Sequence, residues 1–198
     1  MTGPTHRDRQ MKHGIAAGLT ALGMVVAAAA LPASAQQQWG YSDKYPRVES
    51  VPAGSFAQRL LAAHNDERDR VGVPPLEWDP QLAAEAGQWA AELARRQSMD
   101  HADPSARRGA GENLWRGTER YYTAEEMIGT FIDEKRHFQR ESFPDVSATG
   151  QWRDVGHYTQ LIWRDTERVG CAVAAGGGQD WLVCRYWPAG NVMGQPVL

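Results

Sequence analysis

The sequence predicts an α+β domain, and three observations point to that class. Capped segments with a helical spacing of apolar residues occupy much of the chain between Ser55 and Phe138. Two strand-like runs, RVGCAVAA and WLVCRYW, lie near the end. A glycine turn, GGGQD, joins them into a hairpin. Helices followed by paired strands are the pattern of that class.

The elements follow in order. Ser55 caps a first helix in which Phe56, Leu60, Ala63, His64 and Glu67 keep helical spacing, ending near Gly72. Asp79 at the cap and Pro80 at the first helical position open a second, with Leu82, Ala86, Trp89 and Leu93 on one face. Ser98 to Tyr122 has no clean period and contains MDHADP and GAGENLW. A third helix begins where Thr123 and Glu126 form a capping box. Its stripe runs Met127, Phe131, Glu134, Phe138. An acid on a core-facing stripe is expensive to bury unless it is paired or neutral, so Glu134 stands out on periodicity alone. After an irregular stretch, Ser142–Arg153, the spacing of Tyr158, Leu161 and Ile162 predicts a short helix behind Asp154, with His157 near its start. The hairpin then sets Cys171 opposite Cys184, near enough for a disulfide. Closing so short a loop stabilises by about 3 kcal/mol in the chain-entropy account. Free thiols or a cysteine metal site are the alternatives, which an exported context disfavours.

Residues 1–35 read as an address. Arg7, Arg9, Lys12 and His13 precede an apolar run from Ile15 to Leu31, and Ala33-Ser34-Ala35 closes it, the three parts of a secretory signal peptide. Met11 opens a more compact signal and is an alternative start. The apolar run is short of a good membrane span, so no transmembrane segment is expected in the mature chain. Residues 36–54, polar and punctuated by Pro and Gly, read as a linker or N-terminal arm, and 55–198 as one domain. The expected location is secreted or periplasmic. The formal charge of −3 becomes more negative without the leader, and its signs are interspersed. That balance excludes nucleic acid as an expected partner, and no basic amphipathic helix marks a membrane surface. The expected assembly is a monomer, with at most a weak dimer.

GHYTQLIWRDT (Gly156–Thr166) and CRYWPAGNV (Cys184–Val192) resemble the two signature motifs of the CAP superfamily. That superfamily includes cysteine-rich secretory proteins, wasp antigen 5 and the group 1 pathogenesis-related proteins of plants. HNDER (His64–Arg68) and GENL (Gly111–Leu114) match shorter family motifs in the right order, and the resemblance spans Ser55 to Gln195. It implies a three-layer α-β-α sandwich with a central antiparallel sheet. It also implies a cleft shared by two histidines and two acids, which fall on His101, His157, Glu112 and Glu134. Phe131 and Phe138 depart from the usual Trp and Tyr around that acid, and Trp181 is larger than the usual residue. The two cysteines allow a single bridge, fewer than in secreted eukaryotic relatives, and the cysteine-rich extension of some members is absent from this sequence.

The positions 101, 112, 134 and 157 form no local metal motif, so the ligand set rests on the resemblance. Two neutral imidazoles, His101 and His157, suit a zinc-type divalent ion, completed by a carboxylate or water. The competing expectation is that two His–Glu pairs merely satisfy each other in a polar cleft. Three functions follow. The first is a binding module for a lipid, sterol, peptide or glycan, with Phe143 and Trp152 offering an aromatic contact. The second is a metal-dependent hydrolase with Glu112 or Glu134 as general base, or with Thr118 as a hydroxyl nucleophile. The third is an extracellular scaffold with a vestigial cleft. His64 and Asn65 are expected to make structural hydrogen bonds, and His137 to face solvent.

Overall fold

A computed structural model describes residues 54–198. The expected leader, the choice between Met1 and Met11, and the arm up to Ala53 lie outside the described residues. Helix α1 (Phe56–Val71) starts at a capping box between Ser55 and Gln58, and Gly72 ends it in the left-handed region at φ 77°. A two-residue strand, β1 (Glu77–Trp78), leads into α2 (Pro80–Arg96). The Asp79 side chain accepts from the amides of Gln81 and Leu82 there. A single turn, α3 (Pro104–Arg107), precedes strand β2 (Gly111–Thr118). The Thr123–Glu126 capping box opens α4 (Ala124–Ile132). Helix α5 (Gly156–Ile162) and the hairpin β3 (Arg168–Gly176) and β4 (Gln179–Trp187) complete the domain.

The strands order as β1-β3-β4-β2. The three long strands are antiparallel, and β1 adds a short parallel edge through Glu77↔Arg168 and Trp78↔Val169. Strand alternation divides the side chains between two cores. Trp115, Val169, Cys171, Val173, Leu182, Cys184 and Tyr186 face α1, α4 and α5. Leu114, Ala172, Ala174, Trp181 and Val183 face α2, where Ala86, Ala90 and Leu93 meet them. Two helical layers on one sheet are the three-layer sandwich that the resemblance implied. Small residues let α2 come close: a Cβ on Gly170 would lie 2.2 Å from the Ala83 amide nitrogen. The hairpin register places Cys171 opposite Cys184, and the two are joined by a disulfide.

The third helix departs from its expected length. The α-helix ends at Ile132, and Asp133–His137 tightens into a 3-10 turn. The tighter winding takes Glu134 off the stripe and aims it at α5 instead.

HNDER is a structural clamp. His64 is fully buried, with Nδ1 2.8 Å from the Leu60 carbonyl and Nε2 2.8 Å from the Tyr186 hydroxyl. Asn65 bonds both the amide and the carbonyl of Leu76, which fixes the chain after α1. Glu67 accepts from the Tyr158 hydroxyl at 3.1 Å and pairs with Lys135. The buried Arg68 guanidinium donates to the carbonyls of Pro74, Leu161, Trp163 and Thr166. Burial lowers its pKa to about 10, so it stays cationic at neutral pH, facing the carbonyl end of α5 where a positive charge is favoured.

Candidate functional site

Helix α5 has no side-chain cap of its own. Its first amides are open donors, and a helix start buried without partners is costly. Glu134 answers that need from another element. One carboxylate oxygen accepts from the amides of His157 at 3.0 Å and Tyr158 at 3.1 Å, and the other lies 2.6 Å from His157 Nδ1. The negative charge also sits where the helix favours an anion. The acid that periodicity marked as misplaced is a cap supplied in trans, and the same contact orients the imidazole.

Glu112 repeats the device on the other pair. One of its oxygens lies 2.7 Å from His101 Nδ1 and 3.0 Å from the amide of Ala102. In both pairs a glutamate clasps the imidazole and the amide of the following residue. An ionised carboxylate only accepts, so each Nδ1 is the donor in its pair, and in the neutral ring that leaves Nε2 with the lone pair. The carboxylates are covered while the rings are open. The Glu112 and Glu134 side chains are 0% and 19% exposed, and those of His101 and His157 are 55% and 37%. Phe131 stacks on the His157 ring at 5.0 Å between centroids, 16° from parallel, and fixes its plane. The usual Trp is not required for that contact.

The structure forms the four residues into two pairs, His101 with Glu112 and His157 with Glu134. Glu112 points with Leu114 toward α2, whereas Asn113 points toward α5 and donates to the His157 carbonyl at 3.0 Å. That amide joins the pairs through neighbouring backbone. One group of three His, Cys, Asp or Glu ligand atoms mutually within 4.8 Å occurs among the described residues, and it is His64, Cys171 and Cys184. It holds no metal: its sulfurs are bonded to each other, and both nitrogens of His64 are engaged. Burial lowers the His64 pKa to about 4, so the ring is neutral. The donor set at His101 and His157 fits a metal in kind. Each imidazole is oriented by a carboxylate, as histidine ligands commonly are.

Other expectations change. Phe143 is 3% exposed, edge-on to Trp152 and Trp163, so it belongs to the core and offers no lipid contact. Thr118 ends β2, six residues from Glu112 and hence roughly 20 Å along an extended strand. It is no nucleophile for this site. Phe138 packs edge-on against Tyr158, whose phenol is pushed up by burial and by Glu67. Asn191 holds the Gly156 carbonyl and accepts from Thr159, which anchors α5. Sequence reasoning missed Arg185, 3.0 Å from the free oxygen of Glu112 and 3% exposed. Its signal was present: an arginine between Cys184 and Tyr186 breaks an apolar strand as Glu134 breaks a helix.

The sequence model of the cysteine-rich secretory protein family matches residues 61–186. Pathogenesis-related protein 1A of Nicotiana tabacum is 39% identical over 147 residues, 74% of this chain and 83% of the relative. Golgi-associated plant pathogenesis-related protein 1 of Homo sapiens is 33% identical over 142 residues, 71% of this chain and 87% of that protein. Among solved structures, NaASP2, crystallised with Zn2+, aligns with a TM-score of 0.62 at 24% identity, over 75% of this chain and 89% of that one. With the fold, the four motifs and these relatives in agreement, the chain belongs to the cysteine-rich secretory protein (CAP) family.

Proposed function

We propose that this is an exported CAP-domain binding module in which His101 and His157 hold a zinc-type divalent ion. The observation that carries the reading is the matched pair of clasps. Each glutamate takes Nδ1, so each exposed ring presents Nε2, the arrangement that orients histidine ligands in metal sites. The crystal structure of NaASP2 with Zn2+ lends support from the same fold. When bound, the ion supplies a Lewis-acidic point that a carboxylate, carbonyl or hydroxyl of a lipid, sterol, peptide or glycan would meet. The chain's own part is to hold the rings: Glu112 and Glu134 fix their tautomers, Phe131 the plane of one, and Asn113 the spacing between the pairs.

Binding is favoured over hydrolysis by the state of the acids. Glu134 already accepts three hydrogen bonds, and Glu112 is buried among His101, Ala102 and Arg185. Glu112 is covered from solvent, and both oxygens of Glu134 already accept from donors, so neither acid is set to take a proton from water. Export rests on residues 1–35, and cleavage after Ala35 is checked by N-terminal sequencing of the secreted protein.

Titrating zinc into the purified protein by calorimetry tests the reading. The parent should bind with saturable heat, and His101→Ala and His157→Ala should each weaken binding at least tenfold. No heat with the parent, or equal heat in all three, overturns it. Affinity should fall as the pH is lowered, because protons compete with the ion for the imidazole nitrogens. Extraction of a co-purifying lipid, sterol or peptide would identify the organic ligand.

A further inference from the structure

Three cross-strand partners form a row on the α2 side of the sheet: Gly170 of β3, Arg185 of β4 and Glu112 of β2. Strand alternation points this row the same way as Leu114 and Val183, which meet α2. Gly170 contributes no side chain, and α2 lies directly on it, with the Ala83 amide nitrogen 2.2 Å from where a Cβ would sit. The Arg185 side chain is sealed in this layer, 3% exposed, and that of Glu112 beside it is 0% exposed. His101 closes the row on the solvent side, its ring 55% exposed.

Arg185 and Glu112 depend on each other. Nη2 of Arg185 lies 3.0 Å from one Glu112 oxygen, and its Nε and Nη1 meet no acceptor. That oxygen has no hydrogen-bond donor of its own, whereas the other accepts from the Ala102 amide and lies 2.7 Å from His101 Nδ1. The guanidinium is thus the counter-charge of a carboxylate shut away from solvent. The second pair is built otherwise. Glu134 is 19% exposed, and both its oxygens are met by N–H donors of His157 and Tyr158 at the start of α5. Its one ion-pair partner among the described residues is His157 itself. Helix amides fix one clasp, and a buried cation fixes the other.

We infer that Arg185 is the positioning residue of the His101 clasp: its charge holds Glu112 in place, and through Glu112 it keeps the neutral His101 ring with the proton on Nδ1 and Nε2 free. The use of that ring for a metal rests on the function proposed above; the hold of Arg185 on the ring does not. Removing one partner of a buried ion pair leaves the other charge uncompensated and strongly destabilised where it stands. Without the guanidinium, Glu112 therefore gives up the geometry that serves His101 and Ala102, and the ring is free to turn or to take its other tautomer. The effect is local, because His157 takes its orientation from Glu134 and Phe131.

Long-range 1H–15N NMR of the zinc-free protein at about pH 8.5, above the usual imidazole range, reads the tautomer of each ring in the parent and in Arg185→Met. The His101 ratio of Nδ1–H to Nε2–H should fall at least about fivefold in the variant, with His157 and His64 unchanged. An unchanged His101 ratio overturns the inference. So does an equal change at His157, which marks a general loosening of the fold. Should Arg185→Met fail to fold, Arg185→Gln, which keeps an amide donor and loses the charge, is read against the same outcomes. Zinc calorimetry is a separate measurement: a parent that binds no zinc overturns the metal reading, while the ratios, read without zinc, decide this inference.

Discussion

Mild acid should loosen this domain through His64, and the size of the effect follows from its surroundings. The ring is fully buried, donates from Nδ1 to the Leu60 carbonyl and accepts at Nε2 from the Tyr186 hydroxyl. The phenol oxygen in turn accepts from Asn113 at 3.2 Å, so a proton added to Nε2 would face a contact that already holds one. Burial is the largest cause, and it lowers the pKa from 6.5 to about 4. Between those values the unfolded chain binds a proton that the folded one does not. The stability is therefore fully present above pH 6.5 and is lost as pH falls toward about 4. The slope is about 1.4 kcal/mol for each pH unit, so roughly 2 kcal/mol goes by pH 5 and about 3 kcal/mol in all. Urea unfolding at several pH values between about 7 and 5, on the parent and on His64→Gln, measures it. The variant should lose about 1–3 kcal/mol near neutral pH from its disturbed hydrogen bonds. Its further decline toward pH 5 should be shallower than the parent's by roughly 2 kcal/mol. Parallel pH profiles, or a His64 ring that titrates by NMR near 6.5 in the folded protein, would refute the reasoning.

Further outcomes concern the scaffold. Gly170→Ala would put a methyl group 2.2 Å from the Ala83 nitrogen and 2.5 Å from the Asp79 carbonyl oxygen, both backbone atoms. It should cost at least about 3 kcal/mol, read as a lowered melting temperature or lost cooperativity. Replacing both Cys171 and Cys184 by serine removes a bridge of sequence separation 13 and should cost about 3 kcal/mol in urea unfolding. Tyr158→Phe deprives buried Glu67 of its hydroxyl donor and should cost about 1–2 kcal/mol.

The helix starts were legible because their caps are local. Ser55, Asp79 and Thr123 each act within three residues, and the structure uses all three. The hairpin was legible for the same reason, its register following from the glycine turn. The end of α4 was not. Just past it Glu134 meets the His157 amide, a contact across 23 residues that no local pattern encodes. Glu134 was visible as an anomaly, yet its partners came from the family resemblance and then from the structure. Phe143 shows the opposite error: an aromatic in an irregular loop looks available to a ligand, while the fold seals it against Trp152 and Trp163. Arg185 went unnoticed because a single charge in an apolar strand acquires meaning only when the opposing strand is known to carry Glu112.

The central claim is that two glutamates set the tautomers of two exposed imidazoles so that both present Nε2 to a metal. Long-range 1H–15N NMR of the histidine rings, with and without zinc, tests it most directly. His101 and His157 should show protonated Nδ1 throughout, and zinc should shift Nε2 of both while leaving His64 unmoved. Protonated Nε2 in the free protein, zinc attached through Nδ1, or no change at either ring would contradict the account.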